Sequence, residues 1–434
     1  MIDLSPYVGI IYFGLFVTLV ASLYFFILLI ENYHDIKKEQ RRKGVKGLKR
    51  YPFVSIIMTT YNEEATIKET IESLLNLNYP KNKMEIIVID QSKDNTFKIL
   101  KSFKDKRLKC KWVPKFGVPN EKSACLNLAL KMAKGEFIIT QDADSFIEKD
   151  ALLKMLPYFE EDRRLGALIP NMKVHNPKNW VQRLQYVEYM FVLFTRKLWQ
   201  YVNATFVTPG PFSIFRRSAL KKIGYYFDVN SLTEDLEIAF RLLKHRYKVK
   251  CCLTAEVTTV CPDSLKALFK QRIRQNLGFL QGIMVHRELL SPKYGDLGLF
   301  VLPINILTPF LLIISFGYIM ANIIAGFINN AYLVSKVGAD ILISKAFENL
   351  LTFRFIYSDL FYLATIVSIL GWILFLILRK HCKSFLRTIE DIIIYLVYIT
   401  VSGFLYTTFW IVTFYRFSRK KIVWEKYDKK RIKW

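Results

Sequence analysis

Several motifs that mark well-known cofactor and metal sites are absent from this 434-residue sequence. Its six cysteines form no Cys-x-x-Cys pair and have no histidine at zinc-ligand spacing, so we expect small, buried, reduced thiols rather than a zinc site. No Gly-x-x-x-x-Gly-Lys or Gly-x-Gly-x-x-Gly segment follows a strand pattern, which excludes P-loop and Rossmann dinucleotide sites. Acidic residues are scarce, with 37 Asp and Glu against 63 Lys and Arg.

Long uncharged stretches lie only towards the two ends of the chain. Residues 7–30 carry no charge over 24 positions, enough to cross a hydrocarbon layer of about 30 Å. Basic residues follow where a signal peptide would be cleaved, so this stretch predicts a membrane anchor. The other apolar stretches are 297–328, 356–378 and 391–415. Between Ile30 and Asp296 there is no second uncharged run of 18 residues, which predicts a globular domain.

The net charge of +26 is concentrated beside the predicted spans, with eight Lys and Arg in 35–50 and nine in 416–434. We interpret these runs as topology signals that meet anionic membrane lipids, and we expect no nucleic-acid partner. The globular domain is then cytoplasmic in a multi-pass protein of the cell membrane. Three later spans would place the basic tail outside. A helical hairpin within 297–334, broken at Pro303 and Pro309, would return it to the cytoplasm.

The predicted organisation has six parts. They are an N-terminal transmembrane helix (1–34), a basic juxtamembrane linker (35–50), a cytoplasmic catalytic domain (51–260), interfacial helices (261–296), three or four C-terminal transmembrane helices (297–415) and a basic tail (416–434). A second amphipathic segment, 180–202, is also typical of a helix that lies on headgroups.

Short apolar runs alternate with helical patterns in the first half of the globular domain. The predicted strands are 53–59, 85–89, 108–113 and 136–140. This alternation predicts an α/β domain with a mostly parallel sheet. Ligands bind beyond the carboxyl ends of such strands, and Tyr61, Glu63, Asp90, Asp142 and Asp144 fall there.

Two acidic motifs suggest chemistry at that edge. Asp142 and Asp144 follow a buried strand, and their oxygens suit Mg²⁺ or Mn²⁺, which complete their shells with substrate phosphates. Thr233-Glu234-Asp235 precedes a helical pattern. One interpretation is helix capping by Thr233 with two acids in the first turn. The other is a carboxylate that acts as general base towards an attacking hydroxyl.

Six short motifs follow one another along the chain. They are Thr60-Tyr61-Asn62-Glu63, Asp90-Gln91-Ser92-Lys93-Asp94-Asn95-Thr96, Lys122 within NEKSACLN, Asp142-Ala143-Asp144, Thr233-Glu234-Asp235 and Gln271-Arg272-Ile273-Arg274. In this order they resemble the membrane-integrated family 2 glycosyltransferases, the cellulose synthase-like, hyaluronan synthase-like and poly-N-acetylglucosamine synthase-like enzymes. The resemblance covers about residues 50–290. It implies a GT-A fold inserted between an N-terminal transmembrane helix and a C-terminal transmembrane cluster.

The resemblance also implies a role for each matching residue. The implied nucleotide-sugar-binding residues are Thr60, Tyr61, Glu63, Asp90, Lys122, Asp142, Gln271 and Arg274. Asp142 and Asp144 would hold a divalent metal ion, Mg²⁺ or Mn²⁺, with Asp144 as its direct ligand. Asp235 would be the catalytic base, with Glu234 as its catalytic neighbour.

The implied reaction is metal-dependent, inverting transfer of a hexosyl group from a nucleotide sugar, with UDP favoured, to a hydroxyl of a growing polysaccharide. Gln275 stands where the family has tryptophan. This departure keeps open a second interpretation, a single addition to a lipid or lipid-linked saccharide, as in ceramide glucosyltransferases. A base at Asp235 argues for a hydroxyl acceptor and against a prenyl phosphate. A non-catalytic scaffold or transporter is a third interpretation, but charge within the predicted spans is sparse and marks no ion pathway.

Overall fold

The computed structural model describes residues 5–41, 48–338, 359–381 and 388–419. Residues 42–47 of the basic linker, Cys382 with most of its basic loop, and 420–434 of the basic tail lie outside the described residues. The elements are, in chain order, α1 (Ser5–Arg41), β1 (Val54–Thr60), α2 (Ile67–Leu75), β2 (Met84–Asp90), α3 (Thr96–Ser102), β3 (Leu108–Trp112), α4 (Glu121–Met132), β4 (Phe137–Asp142), β5 (Ser145–Ile147), α5 (Ala151–Met155), α6 (Pro157–Glu161), β6 (Leu165–Val174), α7 (Trp180–Trp199), β7 (Ser213–Arg216), α8 (Arg217–Lys222), α9 (Glu234–Lys244), β8 (Lys248–Thr259), α10 (Leu265–Val285), α11 (Leu302–Val337), α12 (Asp359–His381) and α13 (Thr388–Arg419).

The strands form one eight-stranded mixed sheet in the order β3-β2-β1-β4-β7-β6-β8-β5. The four strands predicted from the sequence are its first half, and they pair in parallel. The central strand β1 sets Thr60 opposite Asp90 on β2 and Thr59 opposite Asp142 on β4. The carboxyl ends of β1, β2 and β4 therefore lie side by side at one edge of the sheet. This is the arrangement predicted from the positions of the acidic motifs.

Both faces of this sheet are covered. Ile56 on β1 and Ile86 on β2 belong to a buried cluster that includes residues of α2, whereas Ile57 and Ile87 belong to a second cluster that includes residues of α4. Successive side chains of a strand point to opposite faces. A strand with helices on both faces must therefore be apolar at nearly every position, which explains the continuous apolar runs of β1 and β2.

Three helical segments are long and apolar enough to cross a membrane: Val8–Glu39, Leu297–Lys336 and Ile392–Arg419. A shorter apolar helix covers Tyr362–Ile377. These positions confirm the predicted apolar stretches. The hairpin alternative is wrong for the described residues, because Leu302–Val337 form one helix that continues through Pro309.

The two amphipathic segments predicted from the sequence are α7 and α10. They pack against the last apolar helix, where Phe191 of α7 stacks on Tyr395 and Tyr398 of α13 and Phe269 of α10 meets Phe409 edge to face. A capping box at Asn179 and Gln182 begins α7. The globular domain is therefore joined to an apolar helix through aromatic contacts.

The first helix extends past the predicted boundary at residue 34 and enters the globular domain. Its Glu39 forms a buried ion pair with Lys197 of α7, whose side chain is 1% exposed. Glu39 Oε1 also accepts a hydrogen bond of 2.8 Å from the backbone N–H of Leu253, and Lys197 Nζ donates one of 3.0 Å to the Cys251 carbonyl. The end of α1 is thus fixed to α7 and β8.

The described cysteines are free, as predicted. Cys125, Cys251, Cys252 and Cys261 are buried, and Cys110 is partly buried. Burial raises the pKa of the Cys110 thiol to about 11 and that of Cys125 to about 12. These thiols therefore pack as small apolar groups.

Candidate functional site

Thr60 and Asp90 bind each other at the level ends of β1 and β2. Asp90 is fully buried, and its Oδ1 accepts hydrogen bonds from the hydroxyls of Thr60 at 2.5 Å and Ser92 at 2.6 Å. Its Oδ2 accepts one from the Ser92 backbone N–H at 3.2 Å. Thr60 and Asp90, both predicted to bind the nucleotide, thus hold the start of the loop that follows β2 through hydrogen bonds below its surface.

The loop that follows β1 presents an aromatic ring at the surface. Asn62 adopts a left-handed φ of 57°, which asparagine tolerates better than most residues, and its backbone N–H donates to Ser92 Oγ at 2.8 Å. Tyr61 remains 46% exposed, with Lys115 Nζ 5.0 Å from its ring centroid. A ring beside a cation can stack on a nucleobase and attract a phosphate.

Asp142 and Asp144 form an acidic pair at the end of β4. Burial, followed by the charge of Asp142, raises the pKa of Asp144 to about 6. Burial and then Asp144 also raise the pKa of Glu63. Converging carboxylates with raised pKa values fit a divalent cation, which would neutralise them. The described residues contain no cluster of three His, Cys, Asp or Glu side chains suited to a metal, so phosphate and water oxygens would complete the shell.

Lys122 joins this acidic pair to the Thr-Glu-Asp motif. Its Nζ lies 2.8 Å from Asp142 Oδ1 and 2.7 Å from Glu234 Oε1. Burial opposes the charge of Lys122, but Asp142 and Glu234 outweigh burial and raise its pKa. Burial likewise opposes the charge of Glu234, yet Lys122 lowers its pKa. Both groups are therefore ionised at neutral pH, and Glu234 serves as an ion-pair partner beside Asp235.

Two glycines allow other segments to approach these motifs closely. A Cβ at Gly210 would lie 2.3 Å from Asp142 Oδ2, and a Cβ at Gly278 would lie 2.3 Å from Thr233 Oγ1. Neither distance is compatible with a larger residue in this arrangement. The backbone at Gly210 therefore packs directly against the Asp142 carboxylate. In the same way, Gly278 lets α10 pack against the start of α9.

Asp235 lies in the first turn of α9, where its Oδ1 accepts a 3.0 Å hydrogen bond from the Leu236 N–H. Burial and then Glu234 raise its pKa to about 6, against the opposing charges of Lys122, Arg274 and Arg196. Such a carboxyl is ionised at neutral pH and can hold a proton transiently.

Thr233 occupies the N-cap position of α9 but makes no side-chain capping bond. Its buried hydroxyl has no hydrogen-bond partner among the described residues. The capping interpretation is therefore wrong for the Thr233 side chain, although Glu234 and Asp235 do lie in the first turn.

Helix α10 carries the predicted Gln271 and Arg274, and only Arg274 contacts the segment that precedes Asp235. Arg274 Nη1 donates to the Leu232 carbonyl at 3.1 Å, and Gln271 Oε1 accepts a long 3.5 Å bond from Arg272. Gln281, one turn beyond Gly278, accepts from the Leu232 N–H at 2.9 Å. The structure therefore brings Arg274 near the acidic motif, whereas Gln271 contacts its own neighbour.

A cavity of about 440 Å³ opens beside Asp235 and reaches α13. Its aromatic and amide lining includes Tyr189, Gln275, Asn276, Tyr398, Tyr406 and Trp410. Within it, Arg272 donates hydrogen bonds to Gln275 Oε1 at 2.7 Å and to Glu188 Oε2 at 2.6 Å. Aromatic faces and amides are suited to the flat faces and hydroxyls of sugars.

Asn120 and Arg196 of the site, like Lys115 beside Tyr61, were not predicted from the sequence. Asn120 caps α4 and donates to the Ser231 carbonyl at 2.8 Å, which places Lys122 beside Glu234; its Asn-x-x-Ser spacing is a helix-start signal that could have shown this. Arg196 lines the cavity beside Asp235. Nothing in the amphipathic pattern of 180–202 distinguishes it from an interfacial arginine.

Comparison with known proteins supports the resemblance. Residues 55–224 match the profile of the family described as Glycosyl transferase family 2. The chain is 31% identical over 258 residues to the poly-beta-1,6-N-acetyl-D-glucosamine synthase of Staphylococcus epidermidis, and 28% identical over 257 residues to that of Staphylococcus aureus strain COL. Each alignment covers 59% of this chain and 60% of the relative, so the chain spans about three fifths of the relatives' length.

Among solved structures, the mannosyltransferase PcManGT from Pyrobaculum calidifontis, in complex with GDP-Man and Mn²⁺, has a similar fold. Its TM-score is 0.52 at 18% identity, and the match covers 84% of this chain and 98% of the mannosyltransferase. These findings confirm the resemblance and the GT-A-type fold predicted from the motifs. The family profile ends before Thr233, so the role of Asp235 depends on geometry.

Proposed function

We propose that this chain, whose residues 55–224 form a family 2 glycosyltransferase domain, transfers a sugar from a UDP-sugar to a hydroxyl of a growing polysaccharide at the cytoplasmic membrane face. The observation that carries the proposal is the double ion pair of Lys122 with Asp142 and Glu234. One ammonium group links the carboxylates suited to a divalent cation, which would bind the donor diphosphate, with the motif that holds the proposed base. The names of the relatives favour a polymer of N-acetylglucosamine.

Donor binding would use the rim formed by the ends of β1, β2 and β4. The exposed Tyr61 ring and Lys115 are suited to the base and a phosphate. Asp142 and Asp144 would hold Mg²⁺ or Mn²⁺, and the mannosyltransferase of similar fold was solved with Mn²⁺. When bound, the cation supplies positive charge to the diphosphate. Lys122, which contacts Asp142, and Arg274, whose charge acts on Asp235, would add positive charge from the protein itself.

The proposed reaction is a single displacement that inverts the anomeric centre. Asp235 removes the proton from the acceptor hydroxyl, and the oxygen attacks the anomeric carbon of the donor. The bond between that carbon and the diphosphate oxygen breaks, and the nucleoside diphosphate leaves with the electron pair. Burial of Asp235 keeps its pKa near 6, which suits a base that works at neutral pH.

The cavity beside Asp235 supports a saccharide acceptor. It is large, is lined by tyrosines, a tryptophan and amides, and extends from Asp235 to α13. One observation favours the second candidate, a single addition to a lipid or lipid-linked saccharide. Gln275, which replaces the aromatic residue of the family motif, is hydrogen-bonded to Arg272 rather than offering a stacking face.

Nucleoside-diphosphate release by the full-length protein, purified in detergent, tests the proposal. The assay covers UDP- and GDP-sugars with Mn²⁺ or Mg²⁺, begins with UDP-N-acetylglucosamine, and ends with sizing of the product. We expect metal-dependent turnover with one donor and a long product. A short glycolipid product would establish the single-addition candidate instead. No turnover with any donor, even with added membrane lipid extract, would contradict the enzymatic assignment.

A further inference from the structure

Arg196 differs from the other arginine of the acceptor cavity. Arg272 is paired with Glu188 and Gln275. Arg196 lines the same cavity, but across the described ranges its guanidinium makes no hydrogen bond or ion pair. Arg196 is only partly exposed, and burial lowers its pKa although the charge of Asp235 acts in the opposite direction without an ion-pair contact. A partly buried cation without a partner is costly unless a ligand or water supplies oxygens.

The backbone holds Arg196 and Asp235 at a fixed separation. The Thr205 hydroxyl donates to the Arg196 carbonyl at 3.0 Å. The Thr208 N–H and hydroxyl donate to the Asp235 carbonyl at 3.1 and 2.8 Å. Both threonines are buried, and three residue steps span at most about 10 Å. Two residues on different helices, α7 and α9, are therefore held by one short segment that also lines the cavity.

Thr233, at the edge of the same cavity, is not a second group that a ligand could reach. The residue is 5% exposed, and its Oγ1 has no hydrogen-bond partner in the described part of the chain. That hydroxyl lies against Gly278 of α10 rather than in open space. The guanidinium of Arg196 is therefore the unpaired polar group that a ligand in the cavity can contact beside Asp235.

We propose that Arg196 binds the acceptor sugar, donating hydrogen bonds to oxygens of the residue whose hydroxyl Asp235 deprotonates. The proposal rests on the proposed glycosyltransferase function. A guanidinium has five N–H donors in a planar fork and no acceptor, so it recognises hydroxyl, ring and acetamido carbonyl oxygens. Arg196 then contributes to acceptor binding, whereas the donor is bound by residues at the ends of β1, β2 and β4.

Steady-state kinetics of Arg196→Gln in the full-length protein test this role. The acceptor probe is a β-1,6-linked N-acetylglucosamine oligosaccharide, and acceptor-independent hydrolysis of the donor is measured in parallel. At about pH 8, where Asp235 is ionised with or without the charge of Arg196, we expect the acceptor KM to rise about tenfold or more, with the donor KM and the hydrolysis rate unchanged. Arg196→Lys, which keeps the charge but loses the fork, should fall between. Arg163→Gln, at an exposed position, is the matched control.

A binding titration separates this proposal from the proposed function. The same oligosaccharide is titrated without donor while the intrinsic fluorescence of the protein is followed, since Trp410 lines the cavity. We expect wild-type binding and affinity weakened about tenfold or more in Arg196→Gln. Unchanged affinity, or equal losses for donor and acceptor, would overturn the role of Arg196. A third outcome is oligosaccharide binding that depends on Arg196 but no turnover of any nucleotide sugar. That outcome would support the saccharide-binding role of Arg196 and would contradict only the proposed enzymatic function.

Discussion

The ammonium of Lys122 lies 2.7 Å from Glu234 Oε1, although the two residues belong to motifs more than a hundred positions apart. The same ammonium lies 2.8 Å from Asp142 Oδ1. A change of charge at Asp142 therefore alters the electrostatic field at the turn that carries Asp235. In the proposed reaction, the charge at Asp142 and the pKa of Asp235 are therefore coupled through the side chain of Lys122.

Lys122→Met removes that link while keeping an unbranched side chain that is one atom shorter. We expect the donor KM to rise and transfer to fall by at least about tenfold, because Asp142 and Glu234 lose their shared cation. Lys122 is 38% exposed but Glu234 is only 8% exposed, so the stability loss should lie between the roughly 1 kcal/mol of an exposed pair and the roughly 3–5 kcal/mol of a buried one. Donor titration and thermal unfolding in detergent measure the two effects, with exposed Lys68→Met as control. An unchanged donor KM would show that the ion pairs of Lys122 stabilise the fold and do not contribute to donor binding.

Asp235→Asn removes the base and preserves the shape of the side chain. We expect transfer to fall by about 10² to 10⁴ and donor affinity to remain near that of the wild type, because Asp142 and Asp144 are untouched. The measurements are nucleoside-diphosphate release and equilibrium binding of UDP. Asp263→Asn, at an exposed position, is the matched control. Wild-type turnover in Asp235→Asn would restore the non-catalytic interpretation.

The pH dependence of transfer should show an acid limb near pH 6. The groups that act on Asp235 are Glu234, Lys122, Arg274 and Arg196, and together with burial they set its pKa at about 6. Because the ionised form is the base, activity is present above this value and is lost as the pH falls through it. The check is kcat/KM for the acceptor from about pH 5 to about pH 8 at saturating donor. A flat profile would exclude Asp235 as the titrating base.

Gly210→Ala should damage the donor site specifically. The new methyl group would lie 2.3 Å from Asp142 Oδ2, so the carboxylate must move away from Lys122 and Asp144. We expect a higher metal requirement and at least about a tenfold loss of kcat/KM for the donor. Gly317→Ala, where a Cβ meets nothing within 4 Å, is the control. Wild-type metal dependence would show that Asp142 adapts without loss.

Gln275→Trp tests what limits product length. The indole would restore an aromatic face in the cavity, on which a sugar ring can stack, so we expect a longer product at equal donor turnover. Gln275→Leu also loses the bond to Arg272 but adds no aromatic ring, and it should leave product length unchanged. Product sizing by gel filtration is the measurement. Equal lengths in the tryptophan variant and the wild type would show that another residue controls processivity.

The strands could be predicted because β1, β2 and β4 have apolar runs buried on both faces. The alignment of the strand ends followed from this, and so did the proximity of Glu63 to Asp142 and Asp144. The contact of Lys122 with Glu234 could not be read from the sequence, because it depends on the packing of α4 against the segment before α9. Arg196 was missed for a related reason, since hydropathy does not tell an arginine that faces a cavity from one that faces headgroups.

The ion pair between Glu39 and Lys197 has a consequence for any truncated enzyme. A soluble fragment that starts after the first helix would leave the Lys197 ammonium in the interior without its carboxylate, and breaking such a pair costs about 3–5 kcal/mol. The backbone N–H of Leu253 would lose its acceptor as well. Lys197 directly follows Arg196, so the damage would begin one residue from the acceptor cavity. Kinetic constants measured on that fragment would describe a loosened α7 rather than the intact enzyme.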